Sequence, residues 1–146
     1  VTQHEELSAD ARRARNVATL RDYYRLLSRL DIDGWIELWA EDCLQLMPYA
    51  TGGLPSSVAG RPAVYELYKQ MATGYSVLRY DDVELYPLQD PDKVFARWKP
   101  TAQLVDGTSY RNENAALFEF DATGRIVRFV EYFNPVPLLE GTPGVG

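Results

Sequence analysis

Histidine and cysteine are almost missing from this chain, which has one of each, His4 and Cys43, in 146 residues. A lone Cys excludes an intramolecular disulfide and fits a reducing compartment. One His and one Cys cannot assemble a zinc site or a facial triad. The 21 acidic residues do not follow the spacing of a calcium loop. No Gly-x-Gly-x-x-Gly or phosphate loop is present, and Gly52-Gly53 reads only as a flexible loop. No pair of nucleophile and base stands out. No apolar run approaches the roughly 20 residues of a membrane span. The N-terminal stretch holds Glu5, Glu6, Asp10, Arg12 and Arg13, unlike a signal peptide. Lys and Arg form no cluster and the formal charge is −6, so a basic nucleic-acid face is excluded. The expectation is a cytoplasmic protein that needs no metal or cofactor and has no nucleic-acid or membrane partner.

What the chain does have is aromatic surface: ten Tyr, three Trp and five Phe. Such residues line cores and ligand pockets alike. The length suits one domain, 1–146, with an ordered core of about 8–135 and a loose tail at 136–146 rich in Pro and Gly. Residues 7–30 predict a long helix capped by Ser8, with Val17, Leu20, Tyr23, Tyr24, Leu27 and Leu30 at helical spacing. Asp31 or Asp33 caps a second helix whose apolar face is Ile32, Trp35, Ile36 and Trp39. Cys43 to Met47 reads as a strand ended by Pro48, and 51–60 as a loop. Pro62 opens a third helix with Val64, Leu67, Tyr68 and Met71 on its apolar face and Gly74 as its C-cap. Four long strands follow, at 77–88, 93–105, 109–120 and 125–134, with Asp106-Gly107 a hairpin signal and Pro100 predicting an edge or a bulge. An antiparallel meander after helices must bury one face against them.

Three stretches carry a resemblance. The ending Gly124-Arg125-Ile126, then Glu131-Tyr132-Phe133-Asn134-Pro135, resembles the phenazine-biosynthesis A/B proteins. It is also similar to limonene-epoxide hydrolases and SnoaL-like cyclases, which often carry Asp at the Glu131 position. Glu41-Asp42 before a strand and Pro48, and Gly60-Arg61 opening the third helix, are shared as well. The resemblance to this nuclear transport factor 2-like superfamily implies an α+β cone, with a curved, mostly antiparallel sheet, three helices on its concave face and a central pocket. It leaves the reaction open, because the fold hosts isomerases, dehydratases, cyclases, hydrolases and binding modules.

Strand alternation sorts the candidates. Val127, Phe129, Glu131 and Phe133 share a face, so Glu131 is expected among apolar side chains. Burial there disfavours its ionised form and makes it a proton shuttle near neutral pH. The alternative is a core carboxylate neutralised by an Arg. Tyr110, Asn112, Asn114, Ala116, Phe118 and Phe120 form another inward face. The resemblance to ketosteroid isomerases puts Ala116 where that family has its oxyanion-hole acid and Met47 where it has its catalytic Asp, which argues against that chemistry. Tyr23 falls where those enzymes place an oxyanion-hole Tyr, or it is a core Tyr. Arg97 falls on the Arg of the epoxide hydrolases, while their partner carboxylate is here Lys99. Both cations either face Glu131, orienting it or holding a substrate carboxylate, or are solvated on an outer face. Gln45 shares the parity of Met47. The His used by phenazine A/B proteins and several SnoaL-like enzymes has no counterpart.

The candidate catalytic residues are thus Glu131, Tyr23 and Arg97. The expected substrate-binding set is Trp39, Gln45, Met47, Lys99, Tyr110, Asn112, Asn114, Phe118, Phe129 and Phe133. The leading function is cofactor-independent acid–base catalysis (cyclisation, isomerisation, dehydration or epoxide opening) on a small, largely apolar secondary metabolite. The alternatives are a small-molecule-binding module and an accessory subunit of the same fold. A homodimer is expected through the outer sheet face at Arg111, Glu113, Ala115 and Leu117.

Overall fold

The computed structural model describes residues 7–139. Helix α1 spans Ala9–Ser28, started by the Ser8 hydroxyl, which accepts from the Ala11 N–H at 3.1 Å. Such a cap contributes about 1 kcal/mol. Its inward side carries Leu20, Tyr23, Tyr24 and Leu27. Asp31 caps α2 (Ile32–Trp35), accepting from the Gly34 N–H at 3.0 Å. A Cβ on Gly34 would stand 2.8 Å from that carboxylate, so a larger residue there would push the cap aside. The helix continues only as a 3-10 turn, Ile36–Leu38. Trp39 therefore does not extend its apolar face, as the spacing suggested, but opens β1 (Trp39–Leu46). The expected loop at 51–60 contains a short strand, β2 (Ser57–Ala59). Helix α3 (Arg61–Ala72) follows with Pro62 in its first turn and Thr73, not Gly74, as its C-cap.

The remaining strands are β3 (Tyr75–Pro87), β4 (Lys93–Leu104), β5 (Ser109–Arg111), β6 (Asn114–Phe120) and β7 (Ile126–Phe133). They form one curled sheet in the order β2-β1-β7-β6-β4-β3, with β5 beside β4. That makes β7 a central strand. Its pairing with β1 is parallel and every other pairing is antiparallel. Helix α1 packs on β3 and β4, and α3 on β1, closing the concave side. Arg12 clamps Asp92 through two 3.1 Å bonds, and the Asn16 amide donates to the Pro91 carbonyl, which ties α1 to the β3–β4 turn.

Three local irregularities decide which side chains point inward. The single strand expected over 109–120 is broken at Asn112-Glu113. Pro100, lacking an N–H, sits where β4 exchanges β6 for β5 as partner, and its carbonyl accepts from the Asn112 N–H at 3.2 Å. The register shift lies instead in β3 between Asp81 and Glu84, where Asp82 takes φ 52°. A third shift, between Glu119 and Phe120, turns Ile126 rather than Val127 into the core. The expected loose tail begins with one helical turn, α4 (Val136–Leu139). The rest of that tail and the stretch holding His4 lie outside the described residues.

Candidate active site

Glu131 is the one charged side chain buried among the described residues, at 1% exposure. Strand β7 aims it inward between Phe129 and Phe133, and the cross-strand neighbour is Ala116, whose small side chain leaves room for the carboxyl. Asn114, also on β6 and also buried, brings its amide within 3.4 Å of Glu131 Oε2. Among the described residues no group bonds Oε1. Burial pushes the Glu131 carboxyl up to about 8, with the Asn114 amide opposing weakly. At neutral pH it is therefore mainly a neutral acid.

The helices supply a layer of phenols. Tyr23 and Tyr24 come from α1, Tyr68 from α3, and Tyr80 from β3; burial raises all four, and the negative charge of Glu131 adds to each shift. These hydroxyls remain protonated and able to donate. The Gln45 amide donates to the Tyr68 hydroxyl at 2.8 Å, and Tyr68 is hydrogen-bonded to Tyr23 as well. Tyr23 also packs against Trp39, Phe118 and Phe129 with ring centroids 5.3–6.4 Å apart. Met47 is fully buried in the same cluster. Trp39, Gln45, Met47, Asn114, Phe118, Phe129 and Phe133 thus join Glu131 and Tyr23 in one interior.

Arg97 and Lys99 do not. The inward residues of β4 are Val94, Ala96, Trp98 and Pro100, so the odd-numbered cations face outward. The alternation of β4 runs unbroken from Lys93 to Leu104, so nothing turns them in. The Arg97 side chain is 52% exposed and pairs with Glu84 and Glu113, while Lys99 pairs with Asp82. These groups line a cleft on the convex face, remote from the Glu131 carboxyl's side of the sheet. Asn112 is a corner clamp: it donates to the Tyr110 hydroxyl and the Asn134 carbonyl, and its oxygen accepts from the Glu113 and Asn134 N–H groups. Tyr110 packs in a second cluster with Tyr75, Leu78, Ala102 and Leu104, near enough for the charge of Glu131 to reinforce its raised pKa.

The sequence reading passed over Tyr24, Trp35, Tyr68, Tyr80 and Trp98 as site residues. Helical spacing marked the first three as apolar-face residues, but spacing does not tell a packed ring from one facing a pocket. Strand parity does mark Trp98, which alternates with the outward Arg97 and Lys99. Several of these residues end in polar atoms with no protein partner. They are the Tyr24 hydroxyl and the indole nitrogens of Trp35, Trp39 and Trp98, together with Gln45 Oε1, Asn114 Oδ1 and Glu131 Oε1. A buried polar atom left unpaired costs about 1–3 kcal/mol. A group of them around one carboxyl is the signature of a place where another molecule makes the bonds. Among the described residues, no three His, Cys, Asp or Glu side chains come together as a metal-binding group.

A curled sheet wrapped around three helices is the nuclear transport factor 2-like fold. The chain belongs to the SnoaL-like domain family, whose model matches residues 20–129. It is 28% identical over 127 residues to YesE of Bacillus subtilis, covering 86% of each chain. In structure it resembles a Bacillus subtilis protein put forward as an isomerase, with 26% identity, a TM-score of 0.82, and coverage of 96% of this chain and 100% of that one. It also resembles a phenazine biosynthesis-related protein of Pseudomonas aeruginosa, with 20% identity, a TM-score of 0.78, and 94% of both chains covered. The latter likeness is one of fold. No helix of the described residues is long and apolar enough to cross a membrane.

Proposed function

We propose that this chain is a cofactor-independent acid–base enzyme acting on a small, largely apolar molecule, with Glu131 as its proton-transfer group. One observation carries the reading. Glu131 is a lone buried carboxyl with a free oxygen, facing phenols and indoles, and it keeps its proton to about pH 8. It rests as an acid, so its first act is to protonate a substrate oxygen, and the carboxylate left behind takes a proton back from carbon. Isomerisation, cyclisation and dehydration reduce to that exchange; in epoxide opening the carboxylate takes its proton back from the attacking water or hydroxyl instead of from carbon. Tyr23, linked to Tyr68 and Gln45, polarises or orients the substrate.

Exchange of deuterium from solvent into a panel of small aromatic ketones, followed by proton NMR, reads this chemistry without the physiological substrate. Parent protein is expected to accelerate exchange, and Glu131→Gln to lose about 10²–10⁴ of the acceleration. A Gln variant that exchanges like the parent sinks the proposal. The lack of any second buried carboxylate or His among the described residues favours a second reading, a binding module that turns nothing over. In that case ligands bind with no exchange above background.

The homodimer belongs to the proposal too. On the convex face Tyr86, Phe95, Leu117, Val130 and Leu46 stand opposite one another strand by strand, an apolar row across the sheet. Sedimentation of Leu117→Lys is expected to show monomer where the parent shows dimer. A parent that sediments as a monomer removes the dimer.

A further inference from the structure

We infer that the interior around Glu131 selects uncharged ligands bearing acceptor oxygens, such as carbonyl or ester groups, and rejects anions of the same shape. The inference deepens the proposed function and rests on that reading of the same interior. Its basis is an imbalance between donors and charges. Three indole N–H groups, of Trp35, Trp39 and Trp98, have no acceptor among the described residues, and an indole nitrogen can only donate. The Tyr24 hydroxyl is likewise free to donate. All three tryptophans of the chain are in this state. An oxygen with lone pairs is what such groups require.

A carboxylate or phosphate would offer oxygens as well, but it would bring a charge that nothing inside can balance. No Arg, Lys or His is among the buried residues described. The two cations that a shifted strand would have turned inward, Arg97 and Lys99, stand on the opposite face and are already paired with Glu84, Glu113 and Asp82. Inside, the free atoms of Gln45 and Asn114 are acceptor oxygens, which repel an anion and suit a ligand hydroxyl, and Glu131 rests as an uncharged acid that supplies no counter-charge. The chain as a whole carries −6. An ion stripped of water without a counter-ion binds poorly even where its shape fits. The site therefore reads the neutral state of its ligand, and a substrate carboxylate held by Arg97, one of the roles the sequence allowed, is ruled out by the strand's register.

The methyl ester of naphthoic acid and the naphthoate anion form a matched pair of probes. Equilibrium dialysis at neutral pH, with naphthoate also tested as a competitor of the bound ester, reads the preference at one site. The ester is expected to bind at least about tenfold more tightly than the anion, the direction set by uncompensated desolvation. The preference is expected to persist in Glu131→Gln, since that change adds no cation. Naphthoate that displaces the ester at equal concentration overturns the inference, and so does failure of both probes to bind. The outcomes separate the two claims. Deuterium exchange preserved in Glu131→Gln ends the catalytic reading and leaves charge selection standing; tight naphthoate binding ends charge selection and leaves the proton chemistry standing.

Discussion

Strands β4, β6 and β7 each have two faces, and the two faces treat polarity in opposite ways. On the convex side the charges find partners: Arg97 with Glu84 and Glu113, Lys99 with Asp82, and Lys93 and Arg128 with Glu119. Water screens these pairs, and each is worth at most about 1 kcal/mol. On the concave side one carboxyl, two amides, a phenol and three indoles hold atoms without protein partners, where each lapse costs more. The face that could tolerate unpaired groups has few, and the face that cannot has many. On the proposed function, charges on the outer face serve solubility and local order, whereas the unpaired polar atoms on the inner face await a ligand.

The sharpest break of that contrast is Glu131→Gln. It keeps shape and hydrogen bonding but removes the proton, so turnover should fall about 10²–10⁴-fold with near-ultraviolet dichroism unchanged. The same variant has a stability signature. In the fold Glu131 keeps its proton to about 8, against an ordinary value of 4.5 once unfolded. Between those values the folded state binds the extra proton. The contribution is full below the unfolded value and is lost as pH rises through about 8, a fall on the order of 4 kcal/mol. Urea melts of the parent should weaken across that window relative to Glu131→Gln, and parallel curves for the two would count against the burial argument.

Removing one donor should do less. Tyr23→Phe leaves the acid in place and deletes a hydroxyl bonded to Tyr68, so a loss of roughly threefold to tenfold in turnover is expected from a hydrogen bond of ordinary strength. A loss as large as that of Glu131→Gln would make Tyr23, not Glu131, the principal group. The smallest effect belongs to the outer face: Arg97→Ala should leave turnover within twofold or so and lower stability by less than about 1 kcal/mol. A hundredfold loss there would mean the two faces are not separate in function.

The architecture was legible because it depends on patterns several residues long. Ser8, Asp31 and Pro62 mark helix starts by local chemistry, and the β6–β7 turn is marked by Gly124 at φ 85°, where a Cβ would meet Arg15 at 2.8 Å. Glu131 was legible because Phe129 and Phe133 flank it at the strand period. The site's other half was less so. Parity fixes relative, not absolute, direction: Arg97 stands opposite Glu84 and Ala115 on the outer face, which alternation within one strand could not say. Asn112 kept its parity yet became a clamp, because β5 and β6 part there. Tyr68 and Trp98 reach the site from other elements, and a single element's periodicity cannot say that they meet Glu131.

Everything said of the inner face turns on the protonation state of one carboxyl. Carbon-detected NMR of protein labelled at the glutamate side-chain carboxyl, with Glu131→Gln assigning the resonance by its disappearance, follows that group directly. A titration midpoint near 8 is the predicted result. A Glu131 resonance that titrates near 4.5 would contradict the account.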